Sequence, residues 1–93
     1  MSVEKVTPAM AAKRTQEPSR ARDGSEKILE LAIGRELRAF RRGQDVTVAE
    51  LAHRTGLSIG MLSKIENGNT SPSLKTLQTL ATALSLPITA FFR

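Results

Sequence analysis

The stretch TVAELAHRTGLSIGMLSKIENG, residues 47–68, packs two helix starts and two helix stops into a few turns of chain. Thr47 and Glu50 have the T-x-x-E spacing of a capping box, in which the hydroxyl serves one orphan amide and the carboxylate another. Gly56 ends the helix that follows after about two turns, because glycine reaches the left-handed conformation of a sharp turn without steric cost. Ser58 can cap a second helix, which runs to about Asn67 and is closed by Gly68. Two helices this short bring few residues to a core. Val48, Leu51 and Ala52 supply an inward face on the first, and Met61, Leu62 and Ile65 on the second. The rest of the second helix, Ile59, Gly60, Ser63, Lys64 and Asn67, looks outward, and that polar face needs a reason to exist.

The flanking chain supplies the scaffold. From Ser25, the residues Ile28, Leu29, Ala32, Ile33, Leu37 and Phe40 recur every three to four positions, which predicts an amphipathic helix. Arg35, Arg38, Arg41 and Arg42 crowd its later turns, where cations suit the negative helix end, and Gly43 and Asp45 mark its close. Beyond Gly68, either Ser71 with Pro72 at the first helical position or Ser73 can cap a fourth helix, with Leu74, Leu77, Leu80, Ala81 and Leu84 inward. Pro87 opens a short fifth helix carrying Ile88, Phe91 and Phe92. No stretch alternates apolar and polar residues long enough to predict a strand. The expected class is all-α, a compact bundle of about five short helices. Residues 1–24, broken by Pro8, Pro18 and Gly24, lack a periodic apolar face and are expected to form a disordered basic arm ahead of a helical domain over 25–93. Lys13, Arg14, Arg20 and Arg22 make that arm available to a phosphate backbone.

Composition narrows the function classes. With 93 residues there is room for one small domain, and with Phe40, Phe91 and Phe92 the only aromatics, aliphatic side chains must build its core. There is no cysteine and a single histidine, His53, so disulfides, thiolate metal sites and histidine clusters are excluded; neither metal nor cofactor is expected. No paired carboxylates, phosphate loop or base-activated nucleophile points to an enzyme. No apolar run approaches the roughly 18 residues of a membrane span, and the N-terminus lacks a secretory apolar segment, so a cytoplasmic location without a membrane partner is expected. The net charge of +5 favours a polyanion.

Two short helices joined by a tight glycine turn, the second with a polar outer face, make a helix-turn-helix. The first braces the second, which then protrudes far enough to enter a major groove about 12 Å wide. Small Ala52 permits close approach of the two, and Leu57, Leu62 and Ile65 anchor the pair. In these motifs, A-E-L-A, the glycine turn, I-E-N-G and P-S-L-x-T-L, the chain resembles the Cro/cI-type helix-turn-helix domain of the xenobiotic-response-element regulators, over about residues 37–91, with the motif itself at 48–67. It is most similar to the branch in which a small cupin sensor domain follows.

The resemblance implies a lambda-repressor-like fold and a transcriptional regulator, a repressor, that reads duplex DNA with the helix Ser58–Asn67. Positions matching Ser58, Ile59, Gly60, Ser63 and Lys64 face bases. Thr47, Asn67, Asn69, Ser71 and Ser73 lie where the family approaches phosphates, the last three within a run of backbone amides from Gly68 to Ser73. Val48 stands where the family frequently has a phosphate-contacting glutamine, and Asp45 where it usually has glycine. Arg41 and Glu66 match a pair that bridges the first and third helices. A homodimer on a palindromic operator is expected, with Phe92 left free for a partner subunit or a following domain, and the chain is expected to be part of a longer regulator. The competing reading is a protein-interaction module such as an antitoxin or adaptor.

Overall fold

The computed structural model describes residues 22–92. A π-helical turn, Arg22–Glu26, leads into α1, Lys27–Gly43. It is followed by α2, Val48–Thr55; α3, Ile59–Glu66; α4, Leu74–Ala83; and a 3₁₀ helix, Ile88–Phe92. No strand occurs among the described residues. The expected arm lies outside the described residues as far as position 21, while Arg22 to Gly24 belong to the π-helical turn. No helix among the described residues is long and apolar enough to cross a membrane.

Of the expected bundle of about five short helices, four are α-helices among the described residues and the one after Pro87 is a 3₁₀ helix. After Pro87 the Ala90 amide donates to the Pro87 carbonyl at 2.9 Å, an i to i+3 bond. The tighter winding buries Ala90 and Phe91 completely and leaves Phe92 47% exposed.

Local chemistry fixes the helix ends. The capping box of α2 forms, with the Thr47 amide donating to Glu50 Oε1 at 2.8 Å and the Glu50 amide to Thr47 Oγ1 at 3.0 Å. Gly56 then takes φ 78° and its amide returns to the Ala52 carbonyl at 2.9 Å. Ser58 caps α3 through the Met61 amide at 3.0 Å, and Ser73, not Ser71, caps α4 through the Thr76 amide at 3.1 Å. Three helices close with one pattern. Val46, Asn69 and Leu86 each donate back five residues, to Arg41, Lys64 and Ala81, around a left-handed Asp45, Gly68 or Ser85. This is the Schellman arrangement, in which the residue after the left-handed position packs back on the helix. Val46 is accordingly buried, and Leu86 packs against the core.

The core is aliphatic, with Leu37, Leu51, Leu62, Ile65, Leu80 and Leu84 wholly buried around Phe91. Phe40 meets Phe91 edge to face, with centroids 6.4 Å apart and rings at 76°. Several apolar positions expected inside are not. Met61 is 41% exposed and Leu74 72%, and Ile28 and Leu29 also lie open. On α3 the inward slots are Leu62, Ile65 and Glu66, so a charged residue holds the place next to Ile65 and Met61 falls to the flank. Leu29, Ile33, Leu74, Leu77 and Phe92 instead line a shallow groove of about 210 Å³ between the start of α1, the start of α4 and the 3₁₀ helix.

Candidate nucleic-acid interface

Helix α3 divides sharply. Leu62, Ile65 and Glu66 are buried, while Ile59, Gly60, Ser63 and Lys64 are exposed on the opposite side, with Asn67 at the C-cap beside them. These are the residues expected to face bases and phosphate. The remaining base-facing residue, Ser58, is also exposed, and its hydroxyl oxygen is engaged as the N-cap acceptor, which leaves its O–H proton to donate outward. A Cβ added at Gly60 would find nothing nearer than the Ser58 hydroxyl at 4.0 Å, so no packing within the protein calls for glycine there.

What holds this helix is ionic. Arg41 Nε donates to Glu66 Oε2 at 2.6 Å and Nη2 to Oε1 at 3.0 Å, a two-point fork, while Nη1 donates to the Val46 carbonyl at 2.9 Å. Both side chains are buried, so the expected bridge is present, and the Arg41 fork also secures the turn that leads into α2. Burial pushes the Glu66 carboxyl up, but hydrogen bonds from Arg41 and Arg38 and their charges outweigh it, so it lies below the ordinary carboxylate value. The Glu66 carboxylate in turn raises Arg41. At the start of α2, hydrogen bonds from Thr47 hold the Glu50 carboxyl low.

Sequence reasoning missed three contributors on α1. Arg38, which the sequence places among the cations of the later helical turns without a partner, donates Nε to Glu66 Oε1 at 3.3 Å and Nη2 to Asn67 Oδ1 at 2.7 Å. The signal existed: Arg38 is three residues before Arg41 and so shares its helix face. Lys27 Nζ donates to the Gly68 carbonyl at 2.5 Å and lies 3.4 Å from Asn69 Oδ1. Gly34 is the crossing point, where an added Cβ would fall on the Ile65 carbonyl oxygen and lie 2.6 Å from that of Glu66. No local pattern joins residues this far apart in the chain.

The loop between α3 and α4 is tied down at several points. Ser71 donates its hydroxyl to the Glu30 carboxylate, and Ser73 spends its hydroxyl on the α4 cap and on Thr76 Oγ1 at 3.1 Å. The amides of Gly68 and Asn69 close α3. Those of Thr70, Ser71 and Ser73 have no hydrogen bond among the described residues and remain as donors. Thr47 sits exposed at the start of α2. An arrangement of this kind offers one protruding helix edge with a cation, a hydroxyl and an aliphatic group, flanked by unpaired amides and a helix N-terminus.

The helix-turn-helix family model HTH_3 matches residues 37–91, more than half of the chain. The chain belongs to this helix-turn-helix family. Among its relatives in the family, the transcriptional regulator ClgR of Mycobacterium tuberculosis is 39% identical over 56 residues, 60% of this chain and 50% of that protein. The immunity repressor protein of Bacillus phage phi105 is 33% identical over 60 residues, 64% of this chain and 42% of the repressor. The crystal structure of an HTH_3 family transcriptional regulator from Vibrio cholerae superposes with a TM-score of 0.70 at 31% identity, over 73% of this chain and 38% of that one. The chain thus spans half or less of the length of these regulators.

Proposed function

We propose that the protein binds duplex DNA sequence-specifically and regulates transcription, acting as a repressor, with α3 in the major groove. The observation that carries the reading is the division of α3: an inner face locked by Leu62, Ile65 and the Arg41–Glu66 fork, and an exposed outer face whose Ile59, Ser63 and Lys64 side chains meet no partner among the described residues. Ile59 is suited to a thymine methyl, Lys64 to guanine O6 or N7, and Ser58 and Ser63 to either class of base edge. Thr47, Asn67, Asn69 and the amides toward Ser71 and Ser73 are suited to phosphates. The name of the phage relative, an immunity repressor protein, supports repression. A cytoplasmic location is part of the same proposal. Placement in the branch with a cupin sensor domain rests on motif resemblance.

The working unit we infer is a two-fold dimer on a palindromic operator, with Phe92 and the apolar groove beside it as the contact. The test of the DNA reading begins with selection of a preferred site from a random duplex pool. Lys64→Ala should then lose about 1–3 kcal/mol on that site and less on random duplex. Equal losses on both would reduce Lys64 to a phosphate contact. Failure of the wild-type protein to enrich any duplex at low salt would leave the interaction-module reading instead.

A further inference from the structure

Asn67 carries one oxygen and one NH2 on its side chain, and which of them faces DNA decides whether it attracts or repels a phosphate. The guanidinium of Arg38 has donors only. Its Nη2 lies 2.7 Å from the Asn67 side-chain oxygen, so the oxygen is held toward Arg38 and the NH2 turns away from it, with no partner among the described residues. The same guanidinium is anchored by Nε on Glu66, which Arg41 also grips. Two cations on one carboxylate leave a net positive charge at the C-terminal end of α3, where the helix dipole alone would disfavour a phosphate. At the next turn of the chain, Lys27 faces the side-chain oxygen of Asn69 with the same polarity at 3.4 Å.

We propose that Arg38 is a positioning residue for phosphate recognition: it holds the Asn67 amide with its NH2 turned to the DNA backbone and meets no phosphate itself. The inference rests on the DNA-binding reading above, but the arrangement it invokes is present in the free protein. Asn67→Asp keeps the oxygen that Arg38 grips and replaces the outward NH2 by a second carboxylate oxygen. At neutral pH this variant should melt at or above the wild-type temperature, and that gain should vanish when Arg38→Met is added. Its affinity for the selected duplex should nonetheless fall by more than about tenfold, because the oxygen now opposes phosphate.

Arg38→Met alone should weaken binding by about three- to tenfold with the slope of log affinity against log salt unchanged. Asn67→Ala should weaken it similarly, and the Arg38→Met, Asn67→Ala double variant no more than Asn67→Ala alone. The idea is overturned if the two single losses multiply, or if Arg38→Met flattens the salt slope by about 0.9, the signature of a direct phosphate contact. It is equally overturned if Asn67→Asp lowers the melting temperature while Arg38 is present. If the wild-type chain binds no duplex, the function reading fails, whereas the melting experiments still report on the Arg38–Asn67 contact.

Discussion

Glu66 illustrates how much one buried side chain governs in so small a domain. Its side chain is almost wholly shielded from solvent, and two arginines from α1 supply the hydrogen bonds instead. Removing one partner of such a pair leaves an uncompensated buried charge, at a cost of about 3–5 kcal/mol, whereas removing both is milder. A double-mutant cycle on Arg41→Met and Glu66→Gln should therefore give a coupling of about 1–3 kcal/mol, read from urea midpoints, and additive losses would contradict the fork. The pH dependence has a definite sign. The folded carboxyl lies below its ordinary value, so the unfolded chain binds the proton first on acidification. The stability that Glu66 contributes is complete above the unfolded value, about 4.3, and is lost as pH falls through the lower folded one. Melting temperatures of wild type and Glu66→Gln should therefore converge below about pH 4. Glu50 shifts in the same direction but is common to both proteins, so the difference isolates Glu66. A gap that stayed constant with pH would mean that Glu66 is not ionised in the fold.

The elements are specified at their ends more firmly than at their faces, and two glycines separate scaffold from reading surface. Gly34 and Gly60 both lie within helices, where replacement by alanine should gain about 1 kcal/mol from propensity alone. At Gly34 a Cβ meets backbone oxygens of α3, which cannot swing aside, so overpacking of about 1–3 kcal/mol outweighs the gain and Gly34→Ala should lower the melting temperature. At Gly60 the space is open, so Gly60→Ala should raise it. If the α3 backbone lies against DNA there, the same variant should bind the selected site more weakly, a split between stability and affinity. A Gly60→Ala protein that is both more stable and equally tight would show that the glycine has no part in recognition. This contrast also explains what was legible beforehand. The capping box at Thr47, the stop at Gly56 and the cap at Ser58 are local chemistry and were readable from a few adjacent residues. The outward face of α3 followed from its period. The tethers of Lys27 to Gly68, Glu30 to Ser71 and Arg38 to Asn67 join residues that no short window contains. Met61 and Leu74 misled because apolar periodicity assumes that each face meets the core, whereas Glu66 took one inward slot and the core stops short of the first turn of α4.

At the scale of the whole molecule the question is how one small domain can mark a unique site. An eight-residue helix such as α3 is about 12 Å long and spans only about four or five base pairs. Two copies related by a two-fold axis would set their α3 helices about 34 Å apart, in successive major grooves on one face of a palindrome. In the proposed dimer the contact is the apolar groove. Phe92 is half-exposed beside Leu29 and Leu74 at the groove, whereas its neighbour Phe91 is wholly buried. Phe92→Glu should therefore leave the melting temperature of the monomer nearly unchanged, while Phe91→Ala should lower stability by about 3–5 kcal/mol. Sedimentation with a half-site duplex and with the full palindrome distinguishes the states. Wild type should load the palindrome with two chains, more tightly than twice-independent half-sites allow, and Phe92→Glu should reduce it to half-site affinity. Salt gives an independent reading, because each neutralised phosphate adds about −0.9 to the slope of log affinity against log salt. A dimer with a few cationic contacts per subunit should show a slope of roughly −4 to −8 on the palindrome and half that on the half-site. Equal slopes on the two duplexes, with no gain in affinity on the palindrome, would mean that one chain reads its site alone and that the apolar groove serves some other contact.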